Sequence, residues 1–224
     1  MSKRYLANFC TAGNIMCGTI SLTCTAQSRY DWAAFAILAA LVFDAMDGRV
    51  ARHFGVANDF GRELDSLCDV VSFGVAPGVL LYMWQFHAAP LALGVIVALM
   101  YAVCGAMRLA RFNLSTETVH GFFMGLPIPT AGCLVATYVL SGVRMPDMIV
   151  APTAMLIAWM MVSSVHYPNF KEQSPDPMQK KAIIATVIIG ACLLWWNAQL
   201  WPFVPFLMYF IFGLLNTCWN RLAA

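Results

Sequence analysis

Four aspartates at helical spacing carry the chemistry of this sequence. Asp44, Asp47, Gly48, Ala51 and Arg52 stand at i, i+3, i+4, i+7 and i+8, so on a helix they share one face. Gly61, Asp65 and Asp69 repeat the pattern at i, i+4 and i+8. The residues between, 53–60, are enough to reverse the chain and set the two faces against each other. Counted back from that turn at ~1.5 Å of rise per residue, Asp47 comes level with Asp65 and Asp44 with Asp69. Four carboxylates then converge, with Gly48, Gly61 and Arg52 nearer the turn.

Four carboxylates in one place need cations, because an ionised Asp within an apolar span costs ~2.5–3.5 kcal/mol on insertion scales. The donors are oxygen only, which favours Mg²⁺ or Mn²⁺ over Zn²⁺. Four carboxylates carry too much charge for one Mg²⁺. Two divalent ions balance it and make a clamp for phosphate oxygens, a recurrent device for phosphoryl displacement. Gly48, Ala51 and Gly61 have almost no side chain, so a flat or bulky ligand can lie against the helix backbone, and Arg52 can pair with a phosphate. The plainer alternative is helix packing through small residues, with Arg52 facing lipid phosphates. The aspartates interleaved in register favour a site.

The elements that must position these residues are apolar. Of 224 residues, 61% are hydrophobic and 11% charged, too little polar surface to cover a soluble core. Eight apolar spans, at 9–27, 32–48, 66–86, 90–107, 122–142, 148–166, 182–197 and 202–219, come near the ~20 residues that cross a bilayer. The expectation is an all-α integral membrane protein, one catalytic domain over 1–224, with the last two spans (182–219) peripheral. Internal breaks are expected in the third span (Ala76-Pro77-Gly78) and the fifth (Gly125-Leu126-Pro127-Ile128-Pro129), tolerated where neighbours satisfy the freed backbone groups. The basic start (Lys3, Arg4) and apolar run resemble a cleaved signal, but Asn8 and Asn14 interrupt the run, so a retained first span is expected.

Charge sets the orientation. With both termini in the cytoplasm, the inside receives Lys3, Arg4, Arg49, Arg52, Arg62, Arg108, Arg111, Lys171, Lys180, Lys181 and Arg221; the outside receives Arg29 and Arg144. The aspartate hairpin then faces the cytoplasm, where nucleotides are. A net charge of +2 with no basic run gives no case for nucleic acid. The eight cysteines show no metal spacing, and Cys10, Cys17 and Cys24, seven apart on one face, read as small-residue packing. Arg108 and Arg111, three apart where a span ends, call for an anionic partner; Lys171, Lys180 and Lys181 read as a rim on anionic headgroups.

The spacing Asp44-x2-Asp47-Gly48-x2-Ala51-Arg52-x8-Gly61-x3-Asp65-x3-Asp69 resembles the CDP-alcohol phosphotransferase signature at every fixed position. The resemblance implies a membrane enzyme that takes a CDP-linked lipid alcohol, passes its phosphatidyl group to a hydroxyl acceptor and releases CMP. It implies that Asp44, Asp47 and Asp65 hold one metal, that Asp44, Asp65 and Asp69 contribute to a second, and that Asp69 is the general base. Asn8, Thr11, Gly48, Ala51, Arg52, Asn58 and Gly61 are the CDP-binding set it implies. Asn58 departs from the usual Ser or Thr, Cys68 from the usual Ala, and Ala7 from the usual Pro.

Weaker motifs indicate the acceptor. Asp65-Ser-Leu-Cys-Asp69-Val-Val-Ser-Phe-Gly-Val-Ala-Pro77, Met107-Arg-Leu-Ala-Arg-Phe-Asn113, Phe123-Met-Gly-Leu-Pro-Ile-Pro129 and Ser163-Ser-Val-His-Tyr-Pro-Asn-Phe-Lys171 resemble the phosphatidylserine synthases of that family. Asn8-x2-Thr11-x2-Asn14 is similar to their first-helix stretch that approaches the nucleotide. The implied substrates are CDP-diacylglycerol and L-serine, the implied assembly a homodimer in a prokaryotic cytoplasmic membrane. Arg111, with Arg108 second, is the expected anchor for the serine carboxylate, and Asn113 and Ser163 are expected to orient it. The alternatives are glycerol 3-phosphate or an inositol phosphate as acceptor, an archaeal ether lipid as donor, and, outside the class, a cation transporter. A transporter usually carries its ligands on repeated halves; here they lie on one hairpin without a second copy.

Overall fold

Long apolar runs rich in Ala, Leu and Met favour helix, and short polar links end each one. A computed structural model describes residues 3–54, 59–114, 122–163, 165–168 and 177–223. The elements are α1 (Lys3–Ala26), α2 (Tyr30–Phe54), α3 (Asp59–Asp69), a π-helical segment (Val70–Val75), α4 (Ala76–Gln85), α5 (Leu91–Leu114), β1 (Phe122–Met124), α6 (Ile128–Leu140), α7 (Asp147–Val162), β2 (His166–Pro168), α8 (Pro177–Trp196) and α9 (Val204–Ala223). The architecture is helical; β1 and β2 form only a three-residue antiparallel pair, with Phe123 opposite Tyr167.

α1 lies along α2, and both meet the continuous stretch from α3 through α4. α5 packs on α7, and α6 is enclosed by α2, α4 and the π segment. Phe73, Leu80, Tyr101, Ile128, Leu134, Met160 and Met161 are fully buried at the centre. The outside is apolar as well: Trp32 and Phe35 on α2, Leu99 and Val103 on α5, and Val187, Ile188 and Trp195 on α8 are exposed. Apolar surface spread over so many helices is what a lipid environment covers. Among the described residues, two helical stretches, Asp59–Gln85 and Ala92–Leu114, are long and apolar enough to cross a membrane, and four further apolar helical stretches are shorter. α8 packs chiefly on α9, at the edge of the bundle.

The two expected breaks turn out differently. The third span is helical throughout, and its irregularity lies upstream of Pro77, in Val70–Val75. Pro77 sits in the first turn of α4, where a missing N–H is least costly. In the fifth, residues 122–124 are strand, and the helix starts only at Ile128, after Pro127. Gly125 makes the transition with φ +76°, and a side chain there would run into the backbone carbonyl of Met161. α6 is therefore 13 residues long, roughly 20 Å and short of the ~30 Å apolar core.

Candidate active site

α2 and α3 bring the aspartates together. Asp44, Asp47 and Asp65 each offer a carboxylate oxygen, and these three oxygens lie within 4.8 Å of one another. Asp47 is 6% exposed, and Asp44 and Asp65 are half-buried. Asp69, at the C-terminal end of α3 and also 6% exposed, stands beside the trio within electrostatic reach of all three. The i, i+4 spacing puts Asp65 and Asp69 one turn apart on the face of α3 that turns inward, while Arg62, Glu63 and Leu67 point outward.

Carboxylates so close repel unless a cation lies between them. Among the described residues, the salt bridges at this end are those of Arg62 with Asp59 and Glu63 on the exposed start of α3, and none reaches Asp44, Asp65 or Asp69. Oδ1 of Asp65 is buried with no hydrogen-bond partner, although its side chain touches that of Asp47. An unsatisfied anionic oxygen in an oxygen-only cluster fits a hard divalent cation.

α1 closes the cluster from the other side. Thr11 Oγ1 donates to Asp47 Oδ2 at 3.0 Å, and Asn14 Nδ2 donates to Asp69 Oδ1 at 2.8 Å. Both side chains of the expected nucleotide stretch seen here engage carboxylates. The bond from Asn14 to Asp69 is not among the sequence expectations; the i+3 spacing of Asn14 from Thr11 is its one signal in the sequence. Gly48 and Gly61 lie half-buried on α2 and α3. Asn8, Ala51 and Arg52 fall on α1 and α2 with side chains outside the described set, and Asn58 lies outside the described residues.

The expected acceptor residues separate into two kinds. Arg111 donates from Nη1 to Val162 O at 2.8 Å and from Nη2 to Ser163 O at 3.1 Å, so it grips the last carbonyls of α7. Ser163 Oγ donates to Met160 O at 2.8 Å and helps close the same helix end. Asn113 Nδ2 donates to Glu63 Oε2 at 3.2 Å and Ser66 Oγ at 3.0 Å, tying α5 to α3. Arg111 and Asn113 thus tie helices together, and Ser163 closes the end of one. Arg108 is different: it is 9% exposed, its Nε has no partner, and Asp69 and Asp44 lie within electrostatic reach. Its guanidinium stacks 5.4 Å from the centroid of Phe112. Tyr209 of α9 also lies near Arg108, a contact that no local motif in the last span announces.

A model of the CDP-alcohol phosphatidyltransferase family matches residues 4–165. The chain is 35% identical over 176 residues to a CDP-diacylglycerol–serine O-phosphatidyltransferase of Bacillus subtilis, covering 78% of this chain and 96% of that one. Against a Methanocaldococcus jannaschii protein of the same name it is 33% identical over 218 residues, 94% and 93% of the two chains. Against an archaetidylserine synthase of Methanothermobacter thermautotrophicus it is 34% identical over 158 residues, 70% and 66%.

Proposed function

The chain belongs to the CDP-alcohol phosphatidyltransferase family, and on that premise we propose that it transfers the phosphatidyl group of CDP-diacylglycerol to the hydroxyl of L-serine, giving phosphatidylserine and CMP. The observation that carries this reading is the set of converging oxygens of Asp44, Asp47 and Asp65 with Asp69 beside them. The similar proteins named above have serine products or serine acceptors in their names.

Asp44, Asp47 and Asp65 would hold one divalent cation, and Asp44, Asp65 and Asp69 a second, as Mg²⁺ or Mn²⁺. Bound there, the cations would neutralise the diphosphate and stabilise the departing CMP. Asp69 takes the proton of the serine hydroxyl. The serine oxygen forms its bond to the phosphorus that bears diacylglycerol, and the bond from that phosphorus to the bridging oxygen breaks, leaving that oxygen on CMP. Asp69 serves as base and cation ligand and no second nucleophile is assigned among the described residues, so the transfer is taken as direct, with inversion at phosphorus. Gly48 and Gly61 leave room for the nucleotide against α2 and α3, and the family resemblance adds Asn8, Thr11, Ala51, Arg52 and Asn58 as its expected contacts.

Arg108 is the anchor for the serine carboxylate. Its burial and unpartnered Nε support that role, and Arg111 keeps the α7 end in place behind it. The lipid tails stay in the bilayer. The chain crosses the membrane in about eight spans with both termini and the aspartates on the cytoplasmic side, and the protein works as a homodimer. CMP release from CDP-diacylglycerol on adding serine with Mg²⁺ or Mn²⁺ tests the reading; release with glycerol 3-phosphate but not with serine would replace the acceptor.

A further inference from the structure

Two polar side chains on α1, one turn apart, reach one carboxylate on each arm of the hairpin: Thr11 to Asp47 on α2, Asn14 to Asp69 on α3. Asn14 is fully buried, and its Oδ1 has no partner. A buried amide oxygen without a donor is a cost that an apolar side chain would avoid. What the amide offers in return is the Nδ2–H bond to Asp69.

The backbone under Asn14 is held as firmly as its side chain. Ser72 Oγ, inside the π segment, donates to Asn14 O at 3.0 Å. Asp69 is the last residue of α3 and Ser72 lies in the segment that follows. Asn14 therefore grips the helix on both sides of the point where its winding changes. At such a junction the winding of the turn beyond changes, and a hydrogen bond from a separate helix fixes the carboxylate's direction.

We propose that Asn14 is the positioning residue of Asp69. By occupying Oδ1 it sets the carboxylate plane and leaves Oδ2 as the atom that meets a cation and the acceptor's proton. Ser72 serves the same end by locking the register of α1 against the π segment. This rests on the two-cation reading above.

The test uses the full chain in lipid nanodiscs. Mn²⁺ binding is followed by the electron paramagnetic resonance of free Mn²⁺ with no substrate present, alongside steady-state kinetics. Asn14→Ala is expected to weaken Mn²⁺ binding about 10–100-fold and lower kcat by a similar factor, the range typical for partners of metal ligands. The KM for CDP-diacylglycerol should stay within about twofold of the parent, because no nucleotide contact is lost. Ser72→Ala keeps the amide and should move both quantities the same way by a smaller factor, about threefold. Unchanged Mn²⁺ affinity in Asn14→Ala, or a rise in the CDP-diacylglycerol KM with kcat and Mn²⁺ affinity intact, overturns the proposal. If Asn14→Ala does not fold, Ser72→Ala decides alone, and parent-like Mn²⁺ binding there overturns it. Failure of the two-cation reading looks different: the parent itself would bind no Mn²⁺.

Discussion

Gly18 and Ser72 meet with no room for a side chain between them. A methyl group on Gly18 would stand 2.5 Å from Ser72 Oγ and 2.9 Å from Ser72 Cα, and the second of these is backbone that has nowhere to swing. Gly18 lies one turn beyond Asn14, so this contact sets how near α1 comes to the π segment and to Asp69. Gly18→Ala should cost about 1–3 kcal/mol, the usual penalty for overpacking. A lowered melting temperature in detergent checks it, and a parent-like melting curve would mean that α1 shifts freely.

Arg108 and Arg111 should respond in opposite ways to the same substitution. Arg111→Lys loses the fork that spans two carbonyls, so the prediction is lower thermal stability with a serine KM near that of the parent. Arg108→Lys should raise the serine KM about tenfold or more while leaving the melting temperature close to unchanged. Serine titrations at saturating CDP-diacylglycerol separate the two. An elevated serine KM in Arg111→Lys alone would exchange their roles.

The aspartates should also divide. Asp69→Asn is expected to lower kcat by about 10²–10⁴, the span of general-base catalysis, and to weaken the second Mn²⁺ while Asp44, Asp47 and Asp65 still bind the first. Asp65→Asn should remove turnover and weaken Mn²⁺ binding together, because Asp65 belongs to the converging trio. Normal turnover in Asp69→Asn would end its assignment as base.

Stripping divalent cations with EDTA should stop CMP release, and Mg²⁺ or Mn²⁺ should restore it. The donors of the trio are carboxylate oxygens alone, which suits hard ions and gives Zn²⁺ no nitrogen or sulfur to prefer. Restoration by Zn²⁺ in place of Mg²⁺ would point to ligands other than Asp44, Asp47 and Asp65.

The carboxylate trio was legible because helical spacing alone decides which residues share a face, and Asp44, Asp47 and Asp65 obey it. The helical architecture was legible from composition and run length. Arg111 was not: it lies three residues from Arg108 on the same apolar end, and only the arrival of Val162, 51 positions away, tells the two apart. The start of α6 was read too early because Phe122–Met124 is as apolar as the helix that follows. Its strand character depends on pairing with residues 166–168, which no local pattern encodes. Val70–Val75 contains no proline, and its one glycine gives no reason for a wider turn, so the π winding had no sequence signal.

That wider turn has a mechanical consequence. A uniform α-helix presents every neighbour with a stripe set by one fixed angle per residue, so adjusting the stripe at one end drags the other end with it. Between Asp69 and Ala76 the rod stays helical but winds more widely, so the stripe above is offset around the axis from the stripe below. Upstream, its heading answers to α1 and the carboxylates. Downstream it answers to α5, where Gly78 sits so near Ala98 that an added methyl would lie 2.9 Å from that residue's carbonyl oxygen. The two halves thus turn their stripes in different directions, while α1 and α5 each remain in contact with the segment that joins them.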